Sequence, residues 1–223
     1  MRQILLLIVA LLAVPGIGRG QEPSSCKYWL VAHGNPTRFW AVLQKGAQDA
    51  ALSLGCTVQF YLSKGDQKAQ QDKFLEVLAA RPDGIALSII NDKLFDEPIA
   101  NALAAGVPVV AVNNDDSRGA AGNKRLCYIG QDDENAAYKL TLLMIELAQK
   151  KGLDIFNLQT QAFSEAVGNN FNTKRLSGIS RALAEFGMRP PKVVDLTQSR
   201  GDFSRKIESY LDTGGRNSIA LAV

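Results

Sequence analysis

From residue 27 onward, short apolar runs alternate with longer amphipathic stretches. The first run, Tyr28-Trp29-Leu30-Val31-Ala32, is cut off by His33-Gly34-Asn35-Pro36. A run this short, closed by turn residues, predicts a strand buried on both faces of a parallel sheet. A helix is expected over 36–54, with Asn35 as its cap, Pro36 at its first position and Val42, Leu43, Ala47, Ala50, Ala51 and Leu54 on one side. Gly55 stops it. Further strands are predicted at 56–62, 85–90, 107–112 and 126–129, with helices opening at Asp66 and at Asp96-Glu97-Pro98. A long helix is expected over 132–151, with Ala136, Ala137, Leu140, Leu143, Met144 and Leu147 as its apolar stripe. The alternation resumes with strands at 155–158, 193–196 and 218–223 and helices at 172–187 and 203–211. This beat of strand and helix predicts an α/β protein of two Rossmann-like, doubly wound parallel-sheet lobes. The chain ends inside an apolar strand, so the second lobe is expected to be incomplete.

The first twenty residues break the beat. Met1-Arg2-Gln3 is a short basic start, residues 4–14 are apolar, and Pro15-Gly16-Ile17-Gly18-Arg19-Gly20 ends in small residues. That pattern predicts a secretory signal peptide over 1–20 and a periplasmic or extracellular location. The expected domains are a first lobe over 26–130 and a second over 131–223. The 25 basic side chains lose Arg2 and Arg19 on cleavage, so the net charge falls from +3 to +1. A near-neutral surface without a basic cluster offers no footprint for nucleic acid. The three cysteines, Cys26, Cys56 and Cys127, show no metal-ligand spacing. Cys26 precedes the first strand and Cys56 begins the second. If those strands pair in parallel, the two thiols meet at one sheet edge, where an exported protein allows a disulfide, and both the bridged and the free-thiol readings stand at this point.

Polar residues gather where strands end. His33, Asn35 and Arg38 follow the first strand beside Phe39 and Trp40; Asn91 and Asp92 follow the third; Asn113-Asn114-Asp115-Asp116 follow the fourth. Gly130-Gln131-Asp132-Asp133 close the fifth, and the next strand leads to Asn169, Asn170 and Arg175. Ligands bind at the carboxyl ends of parallel strands. Amides and carboxylates accept from hydroxyls, Arg donates a planar fork, and an aromatic ring covers the apolar face of a sugar. The same residues also serve as turn formers, helix caps and core rings, and both readings stand at this point. Catalysis is not expected. One histidine, no GxSxG elbow, no P-loop and no GxGxxG leave no set for nucleophilic or nucleotide chemistry.

Four motifs then carry a family resemblance across residues 27–223: His33-Gly34-Asn35-Pro36 with Phe39-Trp40; Arg81-Pro82-Asp83-Gly84-Ile85; Ala104-Ala105-Gly106-Val107-Pro108-Val109-Val110 with Asn113; and Ile129-Gly130-Gln131-Asp132. Val167-Gly168-Asn169 with Arg175 and Gly178 is a looser fifth. The chain resembles the type I periplasmic binding proteins of the ribose/galactose-binding kind. The resemblance implies two lobes closing on a monosaccharide or sugar-like polyol and handing it to an ABC permease complex. It also implies a monomer, with no cofactor, no metal and no chemistry on the ligand. By motif position, Phe39 and Trp40 would stack on the sugar, and Asn113, Asp115 and Asp92 would bind hydroxyls. Asn169 and Arg175 would come from the second lobe, the arginine bidentate. A sensor lobe serving a histidine kinase or chemoreceptor would have the same binding domain. The loop over 118–125 is longer than the pattern needs, so the ligand is expected to differ from a plain pentose or hexose. Trp40→Ala is expected to remove affinity and leave the fold intact.

Overall fold

The computed structural model describes residues 26–164, 167–196, 202–212 and 218–222, so the expected signal peptide lies outside the described residues. Strands β1 (Lys27–Ala32), β2 (Thr57–Leu62), β3 (Gly84–Leu87), β4 (Val109–Val112) and β5 (Tyr128–Ile129) form one sheet in the order β2-β1-β3-β4-β5. Every pairing in it is parallel. Helices α1 (Arg38–Ser53), α2 (Gln67–Ala79) and α3 (Asp92–Ala104) connect its strands. After α4 (Asp133–Lys150), strands β6 (Gln159–Ser164), β7 (Lys192–Asp195) and β8 (Ser218–Ala222) make a second parallel sheet, β7-β6-β8, with α5 (Asn170–Glu185) and α6 (Phe203–Asp212) between them. Two α/β lobes with parallel sheets are thus what the alternation of runs predicts.

The period-two alternation of a strand assigns its residues to faces. On one face of the first sheet Val31, Ile85, Leu87 and Val109 pack with Phe74 and Val77 of α2 and Phe95 and Ile99 of α3. On the other, Leu30 and Ala32 pack with Trp40 of α1. The register Lys27↔Thr57 brings the strand starts side by side, and Cys26 and Cys56 are joined by a disulfide at that edge.

Several elements differ from expectation for identifiable reasons. The cap of α1 is Thr37, not Asn35; Asn35 instead accepts Thr37 N on its backbone oxygen at 2.7 Å, in a turn that puts Pro36 outside the helix. Helix α3 starts at Asp92, four residues earlier than Pro98 suggested, and Pro98 lies inside it. The missing proline N–H would orphan the Leu94 carbonyl one turn back, and Gln71 Nε2 donates to that oxygen at 2.7 Å. Residues 155–158 are not a strand. Asp154 draws them into a turn by accepting from Phe156 N and from Asn157 Nδ2, and the strand is the polar Gln159–Ser164 that follows. The apolar stripe of α4 is rotated from the one expected: Ala137, Thr141, Ile145 and Ala148 are buried, whereas Leu140, Leu143 and Leu147 are half exposed. Likewise Val42 of α1 and Leu54, which caps it, stand open to solvent, and Leu54 lines an apolar groove of about 350 Å³ between α1 and the sheet.

Candidate functional site

A cavity of about 590 Å³ lies between the lobes, at the carboxyl ends of β1 and β4 and facing the start of α5. The first lobe contributes His33, Phe39, Trp40, Gln67, Asn113 and Asn114; the second contributes Asn169, Phe171, Arg175 and Phe203. Among the described residues no carboxylate lines it. A neighbouring cavity of about 430 Å³ shares Asn114 and Phe171 as walls and is acidic, with Asp115, Asp132, Asp133 and Glu134.

The expected ligand residues divide among these spaces. Phe39 is exposed on the cleft, its ring edge-on to Trp40. Trp40 touches the cleft, but only 7% of it is exposed, and it belongs to the core under α1. Gly34 makes room for it: a Cβ there would stand 1.7 Å from the indole Nε1. That burial overturns the expectation that Trp40→Ala would leave the fold intact. Asn113 turns into the cleft from a left-handed backbone (φ 63°), which asparagine tolerates better than most residues. Asn169 begins α5 without spending its side chain on a cap. Arg175 donates from Nε to Asp133 at 2.9 Å and lies 5.1 Å over the Phe171 ring, which aims the guanidinium along the cleft wall.

Asp115 and Asp92 are placed elsewhere. Asp115 faces the acidic cavity, where Arg125 Nη2 donates to it at 2.7 Å. Asp92 receives Ser117 N at 3.1 Å and Ser117 Oγ, and Asn170 Nδ2 of the second lobe donates to it at 2.6 Å. Its carboxylate therefore ties the lobes together beside the cleft rather than lining it.

The loop expected to be an elaboration, 118–125, is stapled from within. Asp116, fully buried, accepts from Arg118 N and Nε through Oδ1 and from Arg118 Nη2, Asn123 N and Asn123 Nδ2 through Oδ2, at 2.6–2.9 Å. Burial pushes this carboxyl up, but those bonds and the Arg118 charge outweigh it and hold the pKa at about 2. Arg118 reaches on to Asp96 of α3. The staple holds the strand end that carries Asn113 and Asn114. Tyr128 adds a brace by donating its hydroxyl to Asn113 O at 2.7 Å, and burial with the nearby Asp133 and Asp115 charges raises its pKa to about 12.

Sequence reasoning placed His33 after the first strand without a ligand role and overlooked Phe171. The structure brings them together, with ring centroids 6.4 Å apart and planes within 27°. Burial pushes the His33 pKa down to about 4. Phe171 follows directly on the strand-end amides Asn169 and Asn170, an aromatic beside hydrogen-bonding groups just as in Phe39-Trp40; that signal was available.

Known proteins of related sequence and shape complete the picture. Over 102 residues the chain is 34% identical to the xylose/arabinose-binding protein XylF of Sulfolobus acidocaldarius, a match covering 44% of this chain and 25% of that protein. The chain thus spans about a quarter of the length of that curated relative. A periplasmic sugar-binding protein of an ABC sugar transporter from Legionella pneumophila superimposes with a TM-score of 0.73 at 25% identity, covering 89% of this chain and 70% of the other. An ABC transporter solute-binding protein from Burkholderia graminis, in complex with D-arabinose, has the same fold (TM-score 0.73, 19% identity, 86% of this chain and 64% of the other). A family model of the periplasmic binding protein domain matches residues 28–222, from the first strand into the last, and the chain belongs to that family.

Proposed function

We propose that this chain forms the binding cleft of an exported solute-binding protein that captures a neutral monosaccharide or sugar-like polyol for an ABC transporter, without chemistry on the ligand. The observation that carries this is the lining of the interlobe cavity: the amides of Gln67, Asn113, Asn114 and Asn169 around the rings of Phe39 and Phe171. Amides both donate and accept, as hydroxyls do, so each can satisfy a sugar oxygen without a charge to neutralise. Ring faces cover the C–H surfaces that the hydroxyls leave bare. Among the described residues Arg175 is the one charged lining group, and Asp133 already balances it. A volume of about 590 Å³ admits a single hexose with some water. In this reading Phe39 and Trp40 form the aromatic side of the site, Asn113, Asn169 and Arg175 bind hydroxyls, and Asp92 and Asp115 support the walls. The xylose/arabinose-binding relative and the arabinose-bound neighbour favour a small neutral sugar.

The test is a thermal-shift screen of the full chain against pentoses, hexoses, inositols, amino acids and dicarboxylates, followed by calorimetry of each hit. A neutral sugar or polyol should raise Tm, since a ligand at a hundred times its Kd adds about 2.7 kcal/mol of stability. Stabilisation by amino acids or dicarboxylates alone refutes the ligand class.

A further inference from the structure

Resting on that reading of the cleft, we infer that His33 is itself a ligand-binding residue: an uncharged imidazole held with its proton on Nε2 and offered as a fixed hydrogen-bond donor to a ligand oxygen. The argument starts at Ser88, which is fully buried. Its hydroxyl oxygen accepts His33 N at 3.2 Å and lies 2.6 Å from His33 Nδ1. Those are its hydrogen-bond partners among the described residues. If Nδ1 carried the proton and donated it to Ser88, the buried hydroxyl hydrogen would be left without an acceptor, at a cost comparable to a lost hydrogen bond. If instead the serine donates, Nδ1 accepts and every group there is satisfied. The ring then carries its hydrogen on Nε2.

The surroundings fix the ring as well as its proton. Trp40 meets it edge-on at 5.5 Å, and Phe171 of the second lobe covers it from across the cleft. Asn114 Nδ2 stands 3.4 and 3.5 Å from the two ring nitrogens, long and equal distances that commit neither, while that amide donates to Asn113 Oδ1 at 3.0 Å. The amide group facing the ring is thus a donor, which suits a neutral imidazole and not a cation. Burial acts in the same direction. What remains is one oriented N–H on a residue that lines the cavity beside the amides of Gln67, Asn113, Asn114 and Asn169. It discriminates in favour of a ligand bearing an acceptor oxygen at that point and against the deoxy analogue, which would leave the N–H unpaired.

The chain contains a single histidine, so its ring nitrogens are read without assignment by mutation. Long-range ¹H–¹⁵N NMR of the intact chain at pH 7 should show the neutral Nε2–H tautomer. A protonated Nδ1 or an imidazolium spectrum overturns the inference, whatever the chain binds. Calorimetry then compares D-xylose, L-arabinose and myo-inositol on the wild type, His33→Phe and His33→Gln. The glutamine amide places a donor near the former Nε2, so it should stay within about threefold of wild type, and the phenylalanine variant should bind about tenfold more weakly. Equal binding by His33→Phe, with the sugar still bound by wild type, overturns the inference and leaves the sugar-binding reading intact. Binding of no pentose, hexose or inositol of the wider screen by wild type overturns that reading and, with it, a sugar contact for His33.

Discussion

Asp116→Asn tests whether the loop that presents Asn113 and Asn114 is held by one buried charge. The carboxylate has five donors around it within 2.6–2.9 Å and no exposure. Its pKa is held at about 2 against an ordinary 3.8. At about 1.36 kcal/mol per unit that depression is worth about 2–3 kcal/mol at neutral pH. Asparagine removes the charge and turns an NH₂ toward donors that Oδ2 now accepts, so the loss should reach about 3 kcal/mol. The assay is urea unfolding followed by tryptophan fluorescence, since Trp29 lies in β1 of the same lobe. The pH dependence adds a second check. A depressed carboxyl stabilises above its unfolded pKa, and the contribution is lost as pH falls through the folded one. The gap between wild type and variant should therefore be full above pH 4 and close as pH approaches 2. A loss under about 1 kcal/mol at pH 7, or a gap that persists at pH 2, refutes the reasoning.

Three further outcomes follow from the packing. Replacing Cys26 and Cys56 by serine opens a crosslink of sequence separation 30, which chain-entropy arguments value at about 3–4 kcal/mol; a shift of the urea midpoint corresponding to less than 1 kcal/mol would count against it. Gly178→Ala drives a Cβ to 2.1 Å from the Glu134 carbonyl oxygen where α5 crosses α4, and overpacking of about 1–3 kcal/mol should exceed the helix-propensity gain of about 1 kcal/mol; a thermal melt showing higher Tm would disprove the close crossing. Trp40→Ala should cost about 3–5 kcal/mol of stability as a buried aromatic truncation, whereas Phe39→Ala, at 54% exposure, should leave Tm nearly unchanged and weaken sugar binding. Calorimetry and melting of the pair would show the reverse split if Trp40, not Phe39, were the freer ring.

How much of this was legible in the chain depended on whether burial and apolarity coincide. They coincide in β1, β3 and β4, where Val31, Leu87 and Val109 are fully buried, and the first sheet follows from its runs. They part in β6, where Thr160, Gln161 and Ser164 are buried beside Ala162 and Phe163. A polar strand inside a lobe has no periodic signature, so the apolar neighbours at 155–158 drew the assignment. In α4 the buried face includes Thr141, whose hydroxyl donates to Ala137 O one turn back. That internal satisfaction lets a polar residue face inward and leaves three leucines outside. At the candidate site, residue types at strand ends pointed to the interlobe cavity, which five of the seven expected ligand residues line. Which carboxylates turn away was not readable, because it depends on partners distant in sequence: Arg125 for Asp115, Ser117 and Asn170 for Asp92.

The Asp92–Asn170 bond also bears on kinetics. It joins the lobes directly, so any opening of the cleft that parts them there must first release it. A hydrogen bond to a charged group contributes about 1.5–3 kcal/mol net. A clasp of that strength would leave on the order of one molecule in ten to one in a hundred open at a given instant, and the association rate would be scaled down by that fraction. Bound sugar would gain the same factor as a slower escape. The clasp would thus lengthen residence without touching the ligand. Asn170→Ala should raise both rate constants together in stopped-flow mixing, and unchanged rates would show that the lobes part without breaking this contact.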